Sequence, residues 1–133
     1  MSVWRRWWTL TATERQLVTE AAILVLGIRT GLHVMAFPTL RRRLDACAPA
    51  PPQSVADIAR AVSAAGRHLP GTTCLPEALA AYTMLRRRGH APVFRLGVRD
   101  GGASVVDAHA WVECDGAVVV GSMDARAGYA VLS

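Results

Sequence analysis

Two residues of this 133-residue chain have the types and surroundings needed for covalent catalysis. They are Cys74 in Thr-Thr-Cys-Leu-Pro and His109 in Asp-Ala-His-Ala-Trp-Val-Glu. A thiol attacks as its thiolate, which a helix N-terminus or an adjacent base favours. Cys74 falls where an amphipathic helix should begin, and His109 where a strand should run. An imidazole beside such a thiol can take its proton and return it to a leaving amine. That pair would cleave or transfer an acyl group through a thioester.

A third group should accept a hydrogen bond from the imidazole and fix its tautomer. Asp115-Gly116 reads as a two-residue hairpin turn. In that register Cys114 faces Ala117, His109 faces Ser122 and Asp107 faces Asp124, so Asp124 and Asp107 share the His109 face. A bulge at Gly116 would instead set Gly121 opposite His109. Asp124 is the first choice for the catalytic carboxylate, Asp107 the second, and Asp115, better read as a turn residue, the last. Ser122 or a backbone carbonyl could also complete the pair. For a developing oxyanion, the Cys74 backbone N–H is one candidate donor and the Gln53 side-chain amide another. Trp111 shares the His109 face by alternation, where it would pack in the core or shield the pair from water. His33, His68 and His90 lack comparable surroundings.

The elements that must position these residues can be read from caps and periodicity. Thr11 and Glu14 form a capping box, and a helix should follow to about Met35. Its apolar positions, Leu17, Val18, Ala21, Leu24, Val25, Ile28 and Leu32, follow helical spacing, and Ile23 and Leu26 widen the stripe. Pro38 ends that helix or starts a short new one, and Arg41–Arg43 should form a basic turn. Residues 45–53 read as a proline-rich linker. Ser54 caps a second helix, with Val55, Ile58, Ala59 and Val62 as its stripe. Gly66 to Gly71 reads as a loop. The third helix starts near Cys74, tolerates Pro76 in its first turn and ends at Arg86–Arg88 and Gly89. Beyond it the period changes to two. Phe94, Leu96 and Val98 mark one strand, residues 104–113 a second, Val118–Val120 a third and Tyr129–Leu132 a fourth. Helices first and an antiparallel sheet after them define an α+β fold.

Composition bounds the remaining possibilities. With 52% hydrophobic residues the chain can bury a core as one domain, with residues 1–48 as a helical N-terminal region and 54–133 as the core. All fifteen basic side chains are Arg and the net charge is +5, which suits an acidic partner surface or peptide. The basic residues lie in short clusters without interleaved aromatics, so no nucleic-acid partner is expected. Three cysteines (Cys47, Cys74, Cys114) without Cys-x-x-Cys or His-x-x-x-His spacing give no disulfide framework and no metal site, and a reducing cytoplasmic setting follows. No cofactor is expected. The uncharged stretch Ala21–Ile28 between Glu20 and Arg29 is far shorter than the roughly 20 apolar residues of a spanning helix. Membrane contact is therefore not expected, and Trp4, Trp7, Trp8 and the first helix read either as cover for the core or as a docking surface. Arg41–Arg43 and Arg86–Arg88 read as solvated clusters, or as docking points for an acidic partner.

The Cys-initiated helix ending in Leu-Arg-Arg-Arg-Gly, followed by a strand and then Ala-His-Ala-Trp-Val-Glu with a Gly-containing turn, resembles the transglutaminase-like core. More narrowly it resembles the lasso peptide leader peptidases, the transglutaminase-like B proteins, over roughly residues 13–132. The resemblance implies a transglutaminase/papain-like fold and a cysteine protease that cuts the leader from a ribosomally made precursor peptide. It also implies a separate leader-recognition protein, because this chain is too short to hold that module as well, and an ATP-dependent lasso cyclase acting after cleavage. The family usually carries an Asp near the position of Gly121-Ser122, a point at which this chain departs. The competing readings are a transglutaminase-like acyltransferase with an amine as second nucleophile, and a non-catalytic peptide-binding scaffold. No calcium loop of the large transglutaminases is recognisable.

Overall fold

The computed structural model describes residues 10–69, 74–100, 106–121 and 130–131. Helices α1 (Ala12–Val34), α2 (Phe37–Asp45), α3 (Val55–His68) and α4 (Cys74–Arg87) precede strands β1 (Val93–Asp100), β2 (Val106–Cys114), β3 (Ala117–Val120) and β4 (Ala130–Val131). The strands form one antiparallel sheet in the order β3-β2-β1-β4. The α+β architecture is the one expected.

Local chemistry explains the helix boundaries. At α1 the Thr11 hydroxyl accepts from the Glu14 N–H (3.1 Å), and the Glu14 carboxylate accepts from the Thr11 N–H (2.9 Å). At α3 the Ser54 hydroxyl accepts from the Asp57 N–H (3.1 Å). The far end of α4 closes as a Schellman motif. His90 N–H donates to the Leu85 carbonyl and Gly89 N–H to that of Arg86, both at 3.1 Å, with Gly89 at φ +85°.

Two expectations need correction. Arg41–Arg43 are not a turn but lie inside α2, which Pro38 starts from its first turn. Gly66, expected in a loop, lies inside α3, which continues to His68.

The core joins every layer. Leu17, Ala21, Val25 and Ile28 of α1 are buried in one cluster with Ile58 and Val62 of α3, Leu79, Met84 and Leu85 of α4, and Ala110, Val112 and Val120 of the sheet. Full burial of a Val, Leu or Ile contributes about 1.5–3 kcal/mol each, so α1 is a structural part of this fold. It is also the one described helix long and apolar enough to cross a membrane, with mean hydropathy 1.5 over 18 residues. Ile23, Leu26 and Val34 lie exposed on its outer side.

Of the arginine clusters expected to be solvated, Arg42, Arg43 and Arg86 are exposed, whereas Arg41, Arg87 and Arg88 are partly buried against other elements. Arg88 and Arg87 donate to Glu20 of α1 at 2.6 and 2.5 Å, and Arg86 donates to Asp45 at 2.7 Å. Arg41 lies over the rings of Tyr82 (4.8 Å) and Phe94 (5.0 Å). The proline-rich linker is fastened to the same end of α4. Ala50 N–H donates to the Arg87 carbonyl, Arg87 Nε to the Ala48 carbonyl, and His90 Nε2 to the Gln53 carbonyl (2.7 Å).

Candidate active site

Cys74 is the first residue of α4, where the backbone N–H groups of the opening turn have no partner within the helix. Pro76 costs nothing there, since the N–H it lacks would have been unpaired. The helix lies on the sheet so that Cys74 Sγ meets β2. The Ala110 N–H donates to that sulfur at 3.4 Å. Ala110 directly follows His109, so the contact fixes the thiol against the strand position that carries the imidazole. A donor aimed at sulfur and a helix N-terminus both stabilise negative charge there.

Cys74 and His109 line one cavity of about 290 Å³ together with Ser63, Glu77, Ala110, Val120 and Gly121. Both are half-buried, open to substrate yet partly screened from water. A larger open groove of about 670 Å³ runs along α1 past Gln16, Ile23, Leu24 and Arg87, but among the described residues no cysteine or histidine lines it. Of the other thiols, Cys47 is exposed at the end of α2, and Cys114 is buried at the hairpin. Burial, and then the Asp115 charge, push the Cys114 thiol above its ordinary pKa, against a smaller opposing hydrogen bond from Ala91. Among the described residues no group of His, Cys, Asp and Glu is arranged to hold a metal.

The strand around His109 is held firmly. Ala110 and Val112 enter the core, while His109 and Trp111, one step out of phase, lie with ring centroids 6.3 Å apart and planes 22° from parallel. Trp111 is fully buried, and its indole N–H donates to Glu113 at 2.8 Å. It therefore both packs and covers one side of the imidazole.

The hairpin departs from the counted register. Asp115 and Gly116 take φ +54° and +82°, a two-residue turn of the primed type, and Cys114 does face Ala117. A bulge then interrupts the ladder between Val112 and Glu113, so that Glu113 pairs with Val118 but Val112 with Val120. The bulge is not at Gly116, and a count from the turn to Ser122 and Asp124 loses its basis. Asp124 itself lies outside the described residues, as does Ser122. Asp107 belongs to β2, paired with Arg99. Gly121 has φ +100°, and a Cβ there would lie 2.8 Å from Trp111 Cβ. A side chain such as Asp at that position would be strained and would crowd Trp111.

Gln53 is not brought to the site. Its carbonyl binds His90 beyond the C-terminal end of α4, a helix about 20 Å long at 1.5 Å per residue. The residues that sequence reasoning missed are Ser63 and Glu77. Glu77 could have been found from its spacing, since three residues beyond Cys74 is the same helix face.

The transglutaminase-like superfamily model matches residues 22–133. No curated protein and no solved structure matches the chain significantly. That superfamily includes cysteine peptidases and acyltransferases, both of which use the thiol chemistry that Cys74 and His109 can perform. The match runs from within α1 to the last residue, and the chain belongs to the transglutaminase-like superfamily.

Proposed function

We propose that this protein is a cysteine peptidase that removes the leader from a lasso precursor peptide. The observation that carries the chemistry is the Cys74 thiol at the start of α4, held by the Ala110 amide in the cavity it shares with His109. The narrower substrate rests on the resemblance of residues 74–89 and 108–116 to the leader peptidases.

In this reading His109 accepts the Cys74 proton and the sulfur attacks the carbonyl carbon at the leader–core junction. The tetrahedral oxyanion faces the Cys74 backbone N–H at the helix start. As the C–N bond breaks, the imidazolium gives its proton to the departing amine, which is the core peptide's new N-terminus. Water then attacks the thioester, His109 takes its proton, and the leader leaves as a carboxylic acid while the thiol is restored. Asp124 is proposed as the carboxylate that orients His109. The peptidase works in the cytoplasm with a separate leader-recognition protein, and the freed core passes to the ATP-dependent lasso cyclase.

The test is cleavage of a precursor peptide by the purified protein with its leader-recognition partner, read by mass. Cys74→Ala and His109→Ala should each lower the rate at least 10³-fold, within the range of losing a nucleophile or its base. Undiminished cleavage by Cys74→Ala would refute the assignment. Incorporation of a labelled amine in preference to hydrolysis would identify an acyltransferase instead. Asp124→Asn should lose far more rate than Asp107→Asn, and the reverse order would move the orienting role to Asp107.

A further inference from the structure

One carboxylate of the Cys74 cavity, that of Glu77, has no charge to balance it among the described residues. Glu77 follows Cys74 by three residues on α4, so the two Cβ atoms lie about 5–6 Å apart on one helix face, and both side chains line the same cavity. The Glu77 side chain runs toward α3, where Gly66 leaves it room. A Cβ at Gly66 would collide with the Glu77 carboxylate and would stand 3.3 Å from its γ-carbon.

The other described helix carboxylates contrast with it. Glu14 is hydrogen-bonded in the capping box, Glu20 is held by Arg87 and Arg88, Asp45 by Arg86, and Asp57 by Arg60. Among the described residues Glu77 makes no hydrogen bond and no ion pair, in a chain carrying fifteen arginines. Burial alone raises its pKa, with no cation lowering it. A partly desolvated carboxylate without a counter-ion is unfavourable in isolation and gains most from a cation supplied by a ligand.

We propose that Glu77 is a specificity-determining residue of the Cys74 cavity, receiving the ammonium or guanidinium of a Lys or Arg side chain next to the scissile bond. The cavity, about 290 Å³, corresponds to roughly ten waters of liquid volume, enough for a long basic side chain beside the reacting amide. The substrate class is thus a peptide with a basic residue at the cleavage junction, a deepening that rests on the peptidase reading of this site.

The first arm of the test needs no peptidase activity. In a Cys47→Ser background, which removes the exposed thiol, Cys74 is modified with cationic 2-aminoethyl or anionic 2-sulfonatoethyl methanethiosulfonate. Each rate is read by mass and normalised to that reagent's rate with free cysteine. The protein's net charge of +5 favours the anion in general, so a normalised preference for the cation reports the local carboxylate. The expected preference is about tenfold, collapsing in Glu77→Gln; a ratio within twofold of the parent would overturn the proposal.

The second arm compares precursor peptides carrying Lys or norleucine beside the junction. The Lys/norleucine ratio of kcat/KM should fall about ten- to hundredfold in Glu77→Gln, the size of one charge-assisted hydrogen bond, chiefly through KM. Cleavage with an unchanged ratio overturns the proposal and leaves the peptidase reading intact. Cation selectivity lost in Glu77→Gln, with no peptide cleaved at all, supports the cation site and refutes the peptidase reading.

Discussion

Glu20→Gln should unfasten α1 from the C-terminal end of α4. Glu20 receives Arg88 through both oxygens (2.6 and 3.1 Å) and Arg87 at 2.5 Å. The Arg88 side chain is 6% exposed, that of Glu20 20% and that of Arg87 25%. Removing one partner of a fully buried pair costs about 3–5 kcal/mol, because the remaining charge is left uncompensated. Partial exposure of Glu20 and Arg87 reduces that, so the expected loss is about 2–3 kcal/mol at pH 7. At a urea dependence of about 2 kcal/mol per molar, the unfolding midpoint should fall by about 1–1.5 M.

The pH dependence of this loss is set by Glu20 itself. Burial opposes its ionisation, but the hydrogen bonds and charges of Arg88 and Arg87 together outweigh burial and hold its pKa below the ordinary 4.5. A carboxyl whose folded pKa is depressed contributes its full stability above the unfolded value, and loses it as pH falls through the folded one. The gap between parent and Glu20→Gln should therefore be constant above about pH 5 and shrink below 4.5. Urea titrations at pH 7, 5 and 3 measure it. A loss under 0.5 kcal/mol at pH 7, or a gap unchanged at pH 3, would show that the ion pair does not hold α1 to α4.

Two glycine substitutions separate conformational cost from steric cost. Gly89→Ala should destabilise by about 1–2 kcal/mol through the left-handed backbone alone, since an added Cβ at φ +85° meets nothing within 4 Å; a thermal shift of under 1 °C would contradict this. Gly121→Ala combines a positive φ with a Cβ placed 2.8 Å from Trp111 Cβ, so it should cost more than Gly89→Ala and also slow any Cys74-dependent reaction. Calorimetry compares the stabilities and alkylation of Cys74 by iodoacetamide reports the site; equal stability losses would remove the steric argument.

Several features were legible in the sequence because their causes are local. A capping box needs only Thr11 and Glu14, and the end of α4 needs only Gly89 after a run of helical spacing. Cys74 and His109 stood out by residue type within elements whose order was already clear. Arg87 and Arg88 looked solvated because their partner, Glu20, is 67 and 68 residues away and becomes a neighbour only when α1 packs on α4. Glu77 was overlooked because an acid in the first turn of a helix already has a sufficient explanation in the dipole. Its spacing from Cys74 puts it on the same helix face, but that its carboxylate lies against Gly66 of α3 is visible only in the fold.

The hairpin register failed for a more specific reason. Register is normally pinned by alternation, since a slip of one residue turns the apolar set away from the core. Val118, Val119 and Val120 are identical, so a slip among them leaves the pattern unchanged, and the bulge between Val112 and Glu113 has no sequence signature. Counting from Asp115-Gly116 was sound for as long as the ladder was regular, which is two pairs. Beyond the bulge, Gly121 approaches Trp111 at a positive φ that side chains rarely adopt. A carboxylate that orients His109 is therefore not anchored at position 121, and the comparison of Asp124→Asn with Asp107→Asn becomes the direct way to find it.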